Sequence, residues 1–242
     1  METISQKDKI YIGRKIGTAL LREIENARVS VKIVSPYLSA SYIERLAKLS
    51  KNGVKITLIT ADEIREENRG YSNFRHSDII KQNKIADFNA KKKKSKINKL
   101  SALGLILSLL SVVLYFASPI LLAVPTVLVL LCLSGFAYSS TIKEYSYEYY
   151  SIFRLKVFDS HSGQSPQSTN LVHSKVFVID EKVAFLGSAN FTYSGFNTHY
   201  ESLVRIEDAK AISSISQEVE NLYNSTELKS KDINDWGREI YE

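Results

Sequence analysis

Cysteine is nearly missing from this chain: its 242 residues include one, Cys132. An intrachain disulfide is thereby excluded, and because Cys132 lies in an apolar stretch, nothing points to a cysteine nucleophile or an oxidising compartment. The opening METISQKDK is polar and lacks the apolar centre of a secretory leader, so the N-terminus is expected to stay where it is made. A general excess of basic charge is lacking too, despite a formal net charge of +6. Lys91, Lys92, Lys93, Lys94, Lys96 and Lys99 fall in one run, and the other 26 basic residues balance 26 acidic ones. A broadly basic nucleic-acid surface is therefore not expected, although a local patch stays open.

Charge is absent altogether from Leu100 through Ile142, a stretch of 43 residues. As one helix it would measure roughly 64 Å at about 1.5 Å per residue, twice the ~30 Å of a bilayer core. The sequence therefore predicts two membrane spans, near Leu100 to Phe116 and Ile120 to Tyr138, separated at Ala117-Ser118-Pro119. Pro125 would kink the second. Tyr138, Tyr145, Tyr147, Tyr149 and Tyr150 crowd the exit, as aromatic residues do at membrane interfaces. The lysine run beside the first span puts the flanking sequence in the cytoplasm by the positive-inside tendency, and the run itself reads equally as a solvated linker or as a contact for anionic membrane lipids. The expected localisation is an integral membrane protein with two spans and both termini cytoplasmic.

The flanking sequence reads as α/β. Ile16, Leu20, Leu21, Ile24 and Ala27 recur at helical spacing, and Val29 to Ser35 alternates as a strand before Pro36. Ser41-x-x-Glu44 reads as a capping box opening a helix that ends at Asn52-Gly53, and Val54 to Thr60 is the next strand. Strands joined through a helix are usually parallel. A short polar helix is expected around Ser77 to Phe88, with His76 solvated beside it. Ile152 to Phe158 is a strand, Asp159 to Asn170 a polar loop carrying His161, Tyr200 to Ile206 a closing strand, and Ala209 to Tyr223 an amphipathic helix. The tail beyond Asn224 is polar, with helix expected only near Trp236. Residues 1–99 and 141–242 are thus two parts of one α/β domain, interrupted by the hairpin at 100–140.

The committal chemistry lies between Leu171 and Glu201. His173 and Lys175 sit two apart in a β-branched run, so a strand's period of two puts them on one face. Asp180-Glu181-Lys182 breaks the run, and a second strand from Val183 ends in Gly187-Ser188-Ala189-Asn190. The completed pattern, H-x-K-x4-D-x6-G-S-x-N, resembles the signature of the phospholipase D superfamily, in particular its small single-motif members of the bacterial endonuclease and mitochondrial cardiolipin hydrolase types. The resemblance covers Ile152 to Tyr223 well and Ile16 to Thr60 loosely. It implies an α/β fold with a mixed sheet flanked by helices, here interrupted by the inserted hairpin.

What it implies for the site is a phosphodiesterase without metal or other cofactor. His173 would be the nucleophile forming a phosphohistidine, with Lys175, Ser188 and Asn190 binding the phosphoryl oxygens. Asp180 belongs to the motif, yet it opens a tight turn where carboxylates commonly accept backbone N–H groups, and a structural role is expected of it. Glu201, 28 residues beyond His173 in N-x-x-x-E with Asn197, resembles the carboxylate that single-motif members keep behind the nucleophile. Its neighbour His199 would face the other side of a regular strand and is not assigned. No second H-x-K occurs, since His76, His161 and His199 lack the following lysine. Single-motif members solve this by pairing two copies across a shared site, so a homodimer is implied. The expected activity is phospholipid head-group hydrolysis or exchange at a membrane. A membrane-tethered, metal-independent endonuclease acting on single-stranded nucleic acid is the alternative within the family, and a non-catalytic membrane scaffold the alternative outside it.

Overall fold

The computed structural model describes residues 9–62, 76–113, 123–159 and 172–241. His161, with nearly all of its loop, and the Ala117-Ser118-Pro119 break lie outside the described residues. Two compact units form, Met1–Lys81 with Tyr149–Glu242, and Gln82–Glu148.

The larger unit is built on a seven-stranded mixed sheet. Its strands are β1 (Lys9–Gly13), β2 (Ser30–Val34), β3 (Lys55–Ala61), β6 (Arg154–Phe158), β7 (Lys175–Ile179), β8 (Val183–Gly187) and β9 (Glu201–Ile206), in the spatial order β1-β9-β8-β7-β2-β3-β6. Strands β2, β3 and β6 are mutually parallel, as expected for strands joined through helices. The pairs β2–β7, β7–β8, β8–β9 and β9–β1 are antiparallel. The edge strand β1 was not anticipated, because it buries little: Ile10 and Ile12 are exposed, and its sequence carries no core signal.

Side-chain alternation sorts the sheet into two faces. Val31, Ile33, Leu58, Phe177, Ile179, Phe185 and Leu203 share the main core with α1 (Gly17–Glu25) and α2 (Ala40–Lys51), through Leu20, Ile24, Tyr42, Ile43 and Leu46. On the other face, Val34, Ile59 and Phe158 meet Val219, and Val178 and Ala184 meet Ile212, both from α6 (Ala209–Asn224). Lys32 points to this second face and bridges Glu181 at 2.9 Å and Glu220 at 3.1 Å. Helix α2 starts two residues earlier than a Ser41 capping box requires: Ser39 is the N-cap, and its hydroxyl accepts the Tyr193 N–H at 2.9 Å instead of capping the helix. The end at Asn52-Gly53 holds, with Gly53 at φ +90°. The tail closes with α7 (Ile233–Tyr241), which buries Trp236 in the main core.

A knot of aromatic rings holds the short helix α5 (Tyr193–Asn197) against this core. Phe177, Phe191, Phe196 and Tyr42 meet in tilted and edge-to-face pairs with ring centroids 5.1 to 6.1 Å apart. Gly17 permits the approach of α1, since a Cβ there would overlap the Phe196 side chain and backbone.

The smaller unit holds two helices, α3 (Phe88–Val113) and α4 (Ala123–Thr141), and most of a two-stranded ribbon of β4 (Ile80–Ala86) and β5 (Tyr145–Ser151). The helix expected near Ser77 to Phe88 is instead a single 3-10 turn, His76–Asp78, followed by β4. Asp87 starts α3 by accepting the Ala90 N–H at 2.9 Å, so the lysine run is helical rather than a linker. Lys94 pairs with Glu144 at 2.7 Å, which holds the Glu144 carboxyl below its usual range.

Among the described residues no helix is long and apolar enough to cross a membrane. The two-span hairpin and the integral-membrane localisation are therefore corrected. The described uncharged part of α3 runs only from Leu100 to Val113, about 21 Å against the ~30 Å of a bilayer core. In α4 the aliphatic run ends at Leu133, after which Ser134, Gly135, Ser139, Ser140 and Thr141 intervene. Uniform lack of charge had stood in for length.

Gly17→Ala should destabilise the protein by about 1–3 kcal/mol, read as a lower urea midpoint at an unchanged slope.

Candidate functional site

The alternation that buries Phe177 and Ile179 also turns Lys175 to the main-core face, where it is 5% exposed. On β9, Glu201 shares parity with the buried Leu203 and turns to the same face. Pairing of Lys175 with Gly187, and of Gly187 with Leu203, carries the ends of three strands to one edge. There the Lys175 Nζ stands 3.0 Å from each ring nitrogen of His173 and donates to the His173 carbonyl at 2.6 Å. The imidazole itself is exposed. Burial pulls the Lys175 ammonium below the ordinary lysine value, against the opposing attraction of Glu201.

Ser188 and Glu201 form the other half of the edge. The Ser188 Oγ donates to Glu201 Oε2 and accepts the Ser202 N–H at 3.0 Å. Among the described contacts Glu201 thus meets Ser188 rather than the His173 ring. Asn190 carries a buried Oδ1 with no partner among the described residues. The stretch following it is pinned by hydroxyls that the sequence reading passed over: Ser35 Oγ accepts the Phe191 N–H at 2.9 Å, and Ser39 holds Tyr193. The only sequence signal for Ser35 is its place between a strand and Pro36.

His199 was also passed over. It precedes β9 in the α5–β9 link, where strand alternation does not apply, and its Nδ1 lies 3.7 Å from Glu201 Oε1. Asn197 fixes this link by donating to Tyr42 Oη and to the Tyr193 carbonyl, both at 3.0 Å.

Asp180 stands apart. It lies five residues along β7 from Lys175, about 16 Å at strand rise, at the opposite end of the strand. Its carboxylate accepts the N–H groups of Val29 (2.7 Å), Ser30 (2.9 Å) and Arg28 (2.9 Å). Asp180 and Glu181 both adopt φ +53°, and the Lys182 N–H reaches the Ile179 carbonyl at 3.0 Å, closing a tight hairpin turn. Partial burial pushes the Asp180 carboxyl up, but the bonds from Ser30, Arg28 and Val29 outweigh it and hold it below the usual range. Among the described residues no three His, Cys, Asp or Glu side chains gather as a metal site.

Residues 129–223, which contain the whole motif, match the family model described as cardiolipin synthase, PLD-like domain. Over that segment the chain is similar to the phospholipase D superfamily. Similar solved structures include NucT from Helicobacter pylori, 16% identical with a TM-score of 0.49, covering 90% of this chain and 96% of that one. Nuc from Salmonella typhimurium, a phospholipase D family member, is 12% identical with a TM-score of 0.44, covering 93% of this chain and 99% of that one. The phosphatidylserine synthase of Haemophilus influenzae Rd KW20 is 12% identical with a TM-score of 0.45, covering 97% of this chain and 41% of that one. Likeness of this degree carries nothing about what this chain binds or cuts. No match is found among curated proteins.

Asp180→Ala would strand three backbone donors and should cost about 1–3 kcal/mol. Because the folded carboxyl lies below its unfolded value of about 3.9, its contribution is complete above that pH and is lost as pH falls through the folded value. Stability titrations of wild type and D180A should therefore converge in acid; a gap that stays constant to the lowest pH would contradict this role.

Proposed function

We propose that the chain is a metal-independent phosphodiesterase in which His173 attacks phosphorus, and that two copies share one site. The observation that carries this reading is the buried Lys175 Nζ at 3.0 Å from both nitrogens of an exposed imidazole, at a strand edge that also gathers Ser188 and Glu201. An ammonium so placed meets the non-bridging oxygens of a phosphodiester brought to the ring.

In the first step a His173 ring nitrogen forms a bond to phosphorus as the ester P–O bond breaks, and the leaving alkoxide takes a proton from the His173 imidazolium of the second copy. Water or an alcohol then attacks phosphorus, the P–N bond breaks, and the released proton returns to that second imidazole. Asn190, through its amide N–H groups, would donate to the phosphoryl oxygens, and Ser188 would do so once its proton leaves Glu201. Glu201 accepts the Ser188 hydroxyl proton; a shift of the carboxylate to His173 on substrate binding would free that donor for phosphate and fix the ring's tautomer. Asp180 serves the fold of the motif rather than the phosphate.

Phospholipid head groups are the favoured substrate, supported by the lipid-synthase description of the matching family model. A second reading, single-stranded nucleic acid, is favoured by two exposed rings in the stretch leading to Glu201, Tyr193 at 44% and Tyr200 at 74% exposure, since bases stack on such rings. Incubation with labelled phospholipid and, separately, labelled single-stranded nucleic acid, both in a chelator, decides between them. Head-group release supports the first; cleavage of nucleic acid alone overturns it in favour of the second; turnover of neither overturns both.

With whichever substrate turns over, His173→Ala should abolish activity and Lys175→Ala should lower kcat by about 10²–10³. Lys175 acts while charged, and burial lowers its pKa. The alkaline limb of the rate profile should therefore fall below the ordinary lysine value of about 10.4 and move upward in Lys175→Arg.

A further inference from the structure

Freeing Ser188 for phosphate, as the proposed reaction requires, takes a hydroxyl donor away from the Glu201 carboxylate. The Glu201 side chain is only 12% exposed, so water replaces little of the lost bond, and a poorly solvated carboxylate short of donors is costly. His199 stands where it can meet this demand. Ser188 occupies Oε2, while Oε1 faces the His199 Nδ1 at 3.7 Å. That gap is longer than a hydrogen bond, and a small turn of the carboxylate closes it.

The backbone that carries this ring is fixed on both sides. The N–H groups of Thr198 and His199 donate to the Ser194 carbonyl at 2.9 and 2.8 Å, finishing α5. Asn197, just before them, is tied to Tyr42, which the aromatic knot buries. Beyond His199, β9 begins at Glu201, paired with Gly13 of β1. The His199 side chain is 63% exposed, so the core neither needs it nor restrains its ring. A carboxylate opposite Nδ1 selects the tautomer protonated at that nitrogen, and an Nδ1–H is the donor that Glu201 lacks once Ser188 turns away.

We propose that His199 is a positioning residue for the phosphodiesterase reaction: its Nδ1–H takes up Oε1 of Glu201 as the other oxygen passes from Ser188 to His173. The inference rests on the reading of the site given above and adds to it a residue outside the motif. One movement then serves three groups. Ser188 gains a phosphoryl oxygen, His173 gains the acceptor that sets its tautomer, and Glu201 exchanges one hydroxyl donor for two imidazole N–H donors. His199 itself meets neither phosphorus nor substrate and acts only through Glu201.

Two measurements test this. In turnover, His199→Ala should lower kcat about fivefold with KM little changed and with the urea midpoint of the wild type. His199→Asn, whose amide N–H stands where Nδ1 does, should restore most of the loss, and in a Glu201→Gln background His199→Ala should cost nothing more. Nitrogen NMR of the histidine-labelled chain, recorded with the ring neutral, reads the contact without turnover. The His199 ring, assigned by its loss in His199→Asn, should be protonated at Nδ1 in the wild type and at Nε2 in Glu201→Gln. A ring whose tautomer ignores Glu201→Gln, a wild-type kcat in His199→Ala, or a loss of kcat that follows a lowered urea midpoint and is not restored by asparagine would each overturn the proposal. His173→Ala separates this from the reading beneath it. Full turnover in that variant sinks the reading of the site, whereas an inactive His173→Ala beside a fully active His199→Ala sinks the role of His199 alone.

Discussion

The pleat of β7 governs the site. Phe177 and Ile179 must face the core, so Lys175, two residues on in the same register, must face it as well, and a lysine there is buried whatever else it does. Registration between β2 and β8 fixes that strand along its length. At one end the constraint delivers Lys175, with His173 just ahead of the strand; at the other it delivers Asp180 to the N–H groups of Arg28, Val29 and Ser30. The motif's lysine and its aspartate therefore stand at opposite ends of β7, the aspartate as the clamp that holds β7 to the start of β2.

Much of this was legible from residue order because the signals were local. A β-branched run, a tight acidic turn and a second apolar run produce β7 and β8 wherever they occur, and Asp180's place at the turn already argued for N–H acceptance. The parallel strands β2 and β3 followed from helix-linked alternation. Edge strand β1 was hidden because it buries almost nothing. Ser41 looked like a cap because spacing alone does not reveal that the Ser39 hydroxyl is claimed by Tyr193, 154 residues away in sequence. His199 was set aside by a parity rule that holds only inside a strand, and it stands just before one.

The stretch from Leu100 to Ile142 was misjudged for a different reason. Absence of charge was read as span length, yet α3 takes in the lysine run because Asp87 caps it early, and α4 turns polar beyond Leu133. What survives is the apolar character itself, with Ser101 and Ser108 turned inward and aliphatic side chains such as Leu103 and Leu109 turned out.

The account rests on a covalent bond between phosphorus and His173. Rapid mixing with a labelled phosphodiester, an alkaline quench and peptide mass spectrometry would detect it directly. A phosphoryl adduct on the His173 peptide that forms and decays at the turnover rate is the result predicted. Full turnover with no adduct there, or with the adduct on another residue, would contradict the account.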